Sequence, residues 1–278
     1  MTLPVVSPAA PPPVSKERVG FWRAPLLTGL AWLVHGVSER GGGVSAGPFA
    51  LLNLGLHVGD AAQSVVENRR RAASALGLDA ARLVCAQQVH GGDAVLVGDN
   101  DAGRGACSLA GALPGADALV TRTPSLPLAL FFADCVPVFV ADPVNRTVAL
   151  AHAGWRGLVG GVLENTVAVM VECGARTGDL IAAVGPCIGA CCFEVGPEVA
   201  ARFDPADVRA DENGKAHVDL SAASLRQLQN TGLRATQIDV ANDCTACRPG
   251  RWFSHRRSDG GKTGRMGAFI AVRVGENS

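Results

Sequence analysis

Between residues 116 and 153 the chain holds four short apolar runs, ADALVTR, LPLALFFAD, VPVFVAD and TVALAHA, separated by Pro, Asp and Asn. Their length and their branched and aromatic content favour strands over helices. Four strands in under forty residues commit the middle of the molecule to a sheet. Polar residues sit at their ends: Asp134 and Cys135 close the second run and open the third, and HAGWRG follows the fourth, from His152 to Gly157.

The flanking sequence supplies helices and further strands. SVVENRRRAASALGL reads as a helix stopped by Gly77 in the usual C-terminal position. LVGGVLENTVAVMVECGA reads as a second helix with Val159, Leu163, Val167 and Met170 on one face. DLSAASLRQLQNTGL reads as a third, with Ser221 as its cap and Gly232 just past its end. LAWLV starts a strand that runs into a glycine-rich loop, RLVCAQQVHG reads as a strand with His90 at its end, and LIAAVG, QIDVAND and AFIAVRV are strands. Helices and strands mix without strict alternation, which points to a layered α/β (α+β) single domain of mixed sheets flanked by helices.

Lys+Arg and Asp+Glu both number 25, so the formal net charge is zero, which argues against broad binding to nucleic acid or to an anionic membrane. The most apolar run is interrupted by Asp134 and two prolines and cannot supply the roughly 20 apolar residues of a membrane span. The first residues, MTLPVVSPAAPPPVSKERVG, lack the basic start and apolar core of a signal peptide. Residues 1–25 read as a disordered leader with a polyproline II stretch at Pro11, Pro12 and Pro13, and residues 26–278 as one domain. Nine cysteines in a chain this large, with no export signal, point to a reducing, cytoplasmic setting in which they are thiols or metal ligands.

His90, Cys135 and His152 each lie where an apolar strand meets a glycine or proline turn. Such places hold a side chain rigidly and leave room for a ligand. Two imidazoles and one thiolate suit zinc or copper, and three protein ligands leave a fourth position open, as in catalytic zinc sites. Taken singly, a strand-end His is more often surface or hydrogen-bonded core, and a Cys in an apolar run is more often a small hydrophobe.

The chain resembles the YfiH family, also called the laccase-domain or multicopper polyphenol oxidase family. The matching stretches are SERGGGVS, NLGLHVGD, VENRRR, QQVHG, GADALVTR, ADCVPVFVAD, AHAGWRG, VGPCIG, FEVG and SHRRSDGGKTGR, in that order from about Leu33 to Val274. The resemblance implies one domain of layered sheets flanked by helices. It implies zinc on the residues that match as His90, Cys135 and His152. It also implies phosphorolysis of adenosine, inosine and methylthioadenosine, and adenosine deamination; the alternatives are editing of a peptidoglycan precursor, with Cys135 as nucleophile, and a copper-dependent laccase.

Residue chemistry weighs these activities unequally. Four-electron reduction of dioxygen calls for several metal centres, yet there are six histidines in all, and none of Met1, Met170 and Met266 stands beside the motif strands as a weak axial copper ligand. Deamination wants a carboxylate for proton transfer, with Asp134, Glu194 and Asp243 as candidates, but the His-x-Glu and Pro-Cys-x-x-Cys deaminase pattern is missing. Phosphorolysis wants a bound phosphate. Arg40 in RGGGVS, Arg156 beside His152 and Arg69 in ENRRR are candidates, although three successive arginines more often form a solvated face. Asn53, Asp134 and Cys187 complete the candidate substrate-binding set, and Trp155 or Phe132 offers a ring to a purine or packs in the core. Cys244 and Cys247 form one Cys-x-x-Cys pair, for which Cys187, Cys191 and Cys192 are possible partners in a second zinc site, or which forms a redox dithiol. SHRRSDGGKTGR reads as a polar loop that covers the site or meets a second subunit of a small homo-oligomer, if the chain is not a monomer. Expected partners are a purine nucleoside and phosphate.

Overall fold

The computed structural model describes residues 18–273. The chain enters through β1 (Phe21–Trp22), the short helix α1 (Pro25–Thr28) and β2 (Leu33–Ser38), then the helix α2 (Ala62–Ala75). Strands β3 (Val84–Cys85), β4 (Ala94–Leu96), β5 (Ala118–Thr121), β6 (Leu128–Phe132), β7 (Val136–Asp142) and β8 (Thr147–Ala153) follow. Next come α3 (Trp155–Val159), α4 (Val162–Glu172), β9 (Ile181–Val184), β10 (Glu194–Val195) and α5 (Pro197–Ala200). The chain closes with β11 (Val208–Ala210), β12 (Ala216–Val218), α6 (Leu220–Asn230), β13 (Ile238–Val240) and β14 (Met266–Val272).

Two large mixed sheets stack face to face. One has five strands in the order β1-β2-β14-β6-β3, and the other has six in the order β13-β9-β7-β8-β5-β4. Leu128, Leu130 and Phe132 of the first sheet share a core with Phe139, Leu150 and Ala183 of the second. Helices α4 and α6 cover the outer face of the six-stranded sheet, burying Val138, Val140 and Ala151 against Leu163, Val167 and Leu228. Helix α2 covers the outer face of the other through Ala72 and Leu76. The order is therefore helix, sheet, sheet, helix. It explains why all seven residues of β7 and all seven of β8 are buried. A strand covered on both faces reads as a continuous apolar run instead of an alternating one.

Parity along β8 positions the site. Ala149, Ala151 and Ala153 face the helices, while Val148 and Leu150 face the other sheet. His152 falls on the second side, at the end of the seam between the sheets, with its ring centroid 5.2 Å from that of Phe132.

Several boundaries differ from those read in the sequence. The leader assigned to residues 1–25 lies mostly outside the described residues, but the chain is already in the sheet at Phe21, paired with Ser38, and Ala24 is fully buried. QQVHG is not strand: β3 ends at Cys85, and His90 sits in a loop with φ +61°. The helix expected from LVGGVLENTVAVMVECGA breaks at Gly160–Gly161, where Gly161 has φ +76°, so Val159 lies outside α4 and is exposed. Asp219, not Ser221, caps α6, because its carboxylate accepts the Ala222 amide at 3.0 Å. The three-stranded sheet β10-β12-β11 was not foreseen; runs of two or three residues carry no period to read.

Candidate metal centre

His152 is fixed first. It stands at the end of β8, 3% exposed, and its Nδ1 donates to Asp117 Oδ1 at 2.8 Å. Asp117 is fully buried beside the first residue of β5, which pairs with β8. The same carboxylate accepts the amides of Val89, His90 and Gly91 at 3.0, 3.0 and 2.7 Å. One aspartate thus orients the imidazole of His152 and folds the loop that carries His90. A carboxylate can only accept, so Nδ1 carries the hydrogen and Nε2 of His152 is left for a ligand.

Cys135 arrives from the tight turn between β6 and β7, where Asp134 has φ +86°. Both Asp134 oxygens are taken: Oδ1 accepts Thr245 Oγ1 at 2.6 Å and Oδ2 accepts the Arg256 amide at 2.7 Å. Its carbonyl accepts the Ile188 amide at 2.9 Å. Asp134 therefore anchors three segments behind Cys135 rather than facing a substrate.

The ligand atoms of His90, Cys135 and His152 lie within 4.8 Å of one another. The two imidazole rings meet edge to face, with centroids 4.8 Å apart. His90 is exposed, Cys135 half-buried and His152 buried, so the cluster opens to solvent on the His90 side. Gly154 makes the convergence possible. A Cβ there would stand 3.0 Å from Cys135 Sγ and 3.0 Å from His90 Cδ2.

Charge in the cluster is strongly coupled. Burial pushes the Cys135 thiol up, but His152 and His90 outweigh it and hold the thiol at about 6. Burial likewise disfavours a charged His152, but Cys135 and Asp117 on either side outweigh it and raise the imidazole to about 9. Burial also opposes the Asp117 charge, and His152 with the Gly91 and Val89 amides outweighs it, so Asp117 titrates below the ordinary range. The His152 ring thus lies between the Asp117 carboxylate on Nδ1 and the Cys135 sulfur on its other side. A divalent cation would take the place of a proton on Nε2 and face the sulfur, and the set of two imidazoles and one thiolate suits zinc. The residues present fit the group.

Two further groups approach the cluster that the sequence did not single out. Burial, then Arg265, Arg69, His152 and His90, lowers His57 to about 4, which leaves it neutral at pH 7. Burial lowers Arg265 against the opposing pull of the Cys135 and Asp134 charges. Its Nη1 donates to the Thr263 and Gly264 carbonyls at 3.0 and 3.1 Å.

The remaining sequence candidates are placed in the scaffold. Arg40 donates to the carbonyls of Ala50 and Pro249 and stacks 4.6 Å over Phe253. Arg69 is buried, giving hydrogen bonds to the carbonyls of Leu54, Gly105 and Ala106, while Arg70 and Arg71 pair with Glu67. The arginine run is thus split between an inward scaffold residue and a solvated face. Asn53 is fully buried and bonded to Asp60, Gly55 and Arg265. Phe132 is fully buried, and Trp155 packs on the helix-side core with the exposed Arg156 stacked 4.2 Å over it. Glu194 pairs with Lys215, and Asp243 with Arg248 and Arg251. Cys187 is buried 3.1 Å from Ser221 Oγ. It lines a separate cavity of about 440 Å³ together with Ser221, Asp243 and Cys244, and burial pushes its thiol up to about 12. Met170 packs in the helix-side core and Met266 Sδ accepts the Phe253 amide at 3.0 Å, so neither serves the cluster.

This fold is shared with known proteins. Residues 34–273 match the family model described as multi-copper polyphenol oxidoreductase laccase. The chain is 40% identical over 270 residues to the purine nucleoside phosphorylase YlmD of Geobacillus stearothermophilus, covering 94% of this chain and 98% of that protein. It is 40% identical to a purine nucleoside phosphorylase of Deinococcus radiodurans, covering 90% and 92%. The crystal structure of the Geobacillus stearothermophilus YlmD superposes with a TM-score of 0.86 at 42% identity, covering 92% of this chain and 97% of that one. That of the Bacillus licheniformis hypothetical protein YfiH superposes with a TM-score of 0.84 at 37% identity, covering 87% and 93%. The chain belongs to the multi-copper polyphenol oxidoreductase laccase family, that of YlmD and YfiH, and is an enzyme of the kind its curated relatives represent.

Proposed function

We propose that the chain is a zinc-dependent purine nucleoside phosphorylase. The observation that carries this reading is the convergence of His90, Cys135 and His152, with Asp117 behind them, in a chain about 40% identical to phosphorylases along nearly its whole length. His90 Nε2 or Nδ1, Cys135 Sγ and His152 Nε2 hold the metal. Zinc in such a site supplies a Lewis acid and lowers the pKa of bound water. In phosphorolysis a phosphate oxygen forms the new bond to C1′, the C1′–N9 bond breaks, and its electron pair leaves on the purine. The phosphate dianion needs cations close to the cluster, and the half-buried Arg265, electrostatically coupled to Cys135, is one. Arg156, exposed one turn beyond His152, is the second. The departing purine takes its proton from the monoprotonated phosphate or from water, because His57, lowered to about 4, is already neutral at pH 7. Asp117 keeps His152 in one tautomer throughout. Adenosine deamination at the same centre lacks a free carboxylate, because Asp134, Glu194 and Asp243 are all paired.

One observation favours a second reading. Cys135, His152 and Asp117 have the order of a cysteine nucleophile, its base and the base's orienting carboxylate. That arrangement suits an amidase acting on a peptide-bearing precursor. The two readings separate on metal removal. The phosphorylase loses its products on chelation and regains them with zinc, whereas the amidase keeps its activity and leaves an acyl adduct on Cys135. His90→Ala, with metal content and release of free base measured together, completes the test: metal loss without loss of phosphorolysis would exclude the zinc reading.

A further inference from the structure

Four more cysteines converge away from this centre. The sulfurs of Cys191, Cys192, Cys244 and Cys247 all lie within 4.8 Å of one another. Cys247 Sγ is 3.6 Å from Cys191 Sγ and 3.5 Å from Cys192 Sγ. We propose that these four cysteines bind a second, structural zinc ion, which clamps the loop after β9 to the loop after β13.

The spacing fits one ion. Four sulfurs about 2.3 Å from a tetrahedral zinc stand roughly 3.8 Å apart. A disulfide would need one pair at about 2.05 Å. Here Cys247 is equally close to two sulfurs and bonded to neither. Neighbouring side chains diverge on a strand, but Cys191 and Cys192 lie on a tight turn, where the amides of Cys192 and Phe193 both bond the Gly189 carbonyl at 2.9 and 3.0 Å. That turn directs both sulfurs at the Cys-x-x-Cys pair.

The surroundings suit thiolates. The Gly189 amide donates to Cys244 Sγ at 3.2 Å. Four thiolates on one zinc leave two negative charges. Two arginines stand over the joint: Arg256 donates to the carbonyls of Cys192 and Glu194, and Arg257 to that of Ala246. All four ligand positions are filled by protein, the arrangement of structural zinc.

A clamp here has something to hold. The segment between β13 and β14 runs from Ala241 to Arg265 with only one short helical turn, Asp259–Gly261. It supplies Thr245 and Arg256, which grip Asp134 next to Cys135. The loop after β9 supplies the Ile188 amide, which bonds the carbonyl of the same residue. Backbone to backbone, these two loops meet in one bridge, Cys187 to Cys244, with a bond from the Thr245 amide to the Cys187 carbonyl at 3.0 Å. A zinc at the four cysteines would add four strong bonds where the backbone contributes few.

Metal content of the full chain, purified without chelator under reducing conditions, tests this. Wild type is expected to carry two zinc ions per chain, His152→Ala one, and Cys191→Ser/Cys247→Ser one. The cobalt-substituted His152→Ala chain should show the absorption of a tetrathiolate site. Alkylation read by peptide mass spectrometry is independent of how the variants fold. In the zinc-loaded wild type the four cysteines should be protected, and all four should label after chelation. One zinc per wild-type chain with these cysteines freely alkylated would overturn the proposal. So would cysteines that stay unlabelled until a disulfide is reduced.

Discussion

Asp117 Oδ1 stands 2.8 Å from His152 Nδ1, and the same carboxylate receives three amides of the His90 loop. A single buried residue therefore sets the position of two of the three proposed ligands. Asp117→Asn keeps the size but removes the charge, and it turns an acceptor-only group into one that can also donate. It is expected to weaken zinc binding roughly 10- to 100-fold, as loss of the carboxylate that orients a ligating histidine does at other zinc sites. Competition with a chromophoric chelator measures this; unchanged affinity would mean that Asp117 only folds the loop.

Gly154 leaves the space that the cluster occupies. In Gly154→Ala the new Cβ would press on Cys135 Sγ and His90 Cδ2, both 3.0 Å away. Because φ is −72°, the backbone itself accepts alanine. The variant is expected to fold with an unchanged far-UV spectrum and to bind zinc at least about tenfold more weakly, a difference of about 1.4 kcal/mol. Full zinc affinity would show that the ligands have slack.

Arg69 separates scaffold from phosphate binding. Its guanidinium holds three carbonyls and lies 4.1 Å from the Phe131 ring centroid. Arg69→Met leaves those carbonyls unpaired and is expected to destabilise the fold by about 3 kcal/mol in urea unfolding. The KM for phosphate should not change. A large rise in that KM with stability intact would place Arg69 at the phosphate instead.

These residues also show what a reader of the sequence can see. The four strands are legible because both faces of β7 and β8 are buried, so their apolar runs are unbroken. Cys135 and His152 stand out because each lies at the end of such a run, whereas His90 is marked only by its glycine turn and lies in a loop. Asp117 does not stand out: at the head of ADALVTR it looks like a turn residue, and its partner His152 lies 35 positions away in sequence. Only the antiparallel pairing of β5 with β8 brings the two together. His57 and Arg265 reach the cluster from loops whose path no local pattern sets. Arg69 was within reach. It is four residues after Val65 and three before Ala72, on the buried stripe of α2, whereas Arg70 and Arg71 are not on it.

His35 gives the fold a dependence on pH of known sign. It accepts the Ala24 amide on Nε2 at 2.9 Å, and burial together with Arg23 lowers it to about 4. Its unfolded value is about 6.5, so below that pH the unfolded chain takes up a proton that the folded chain refuses. Stability from this residue is complete above pH 6.5 and is lost as pH falls towards 4, by up to about 3 kcal/mol. His35→Gln keeps an acceptor for Ala24 and removes the titration. The urea midpoint of wild type should therefore fall more steeply than that of the variant between pH 7 and 4; parallel curves would refute the assignment.

The central claim is that zinc on His90, Cys135 and His152 supports phosphorolysis. The most direct measurement removes the metal from the wild-type chain by dialysis against a chelator. Zinc is then returned stepwise, with inosine and phosphate present, while hypoxanthine and ribose 1-phosphate are quantified. The expected result is equal amounts of both products, dependent on phosphate, abolished in the metal-free chain and restored by zinc. Undiminished product formation in a chain shown to be free of metal, or no ribose 1-phosphate from the fully loaded chain, would contradict it.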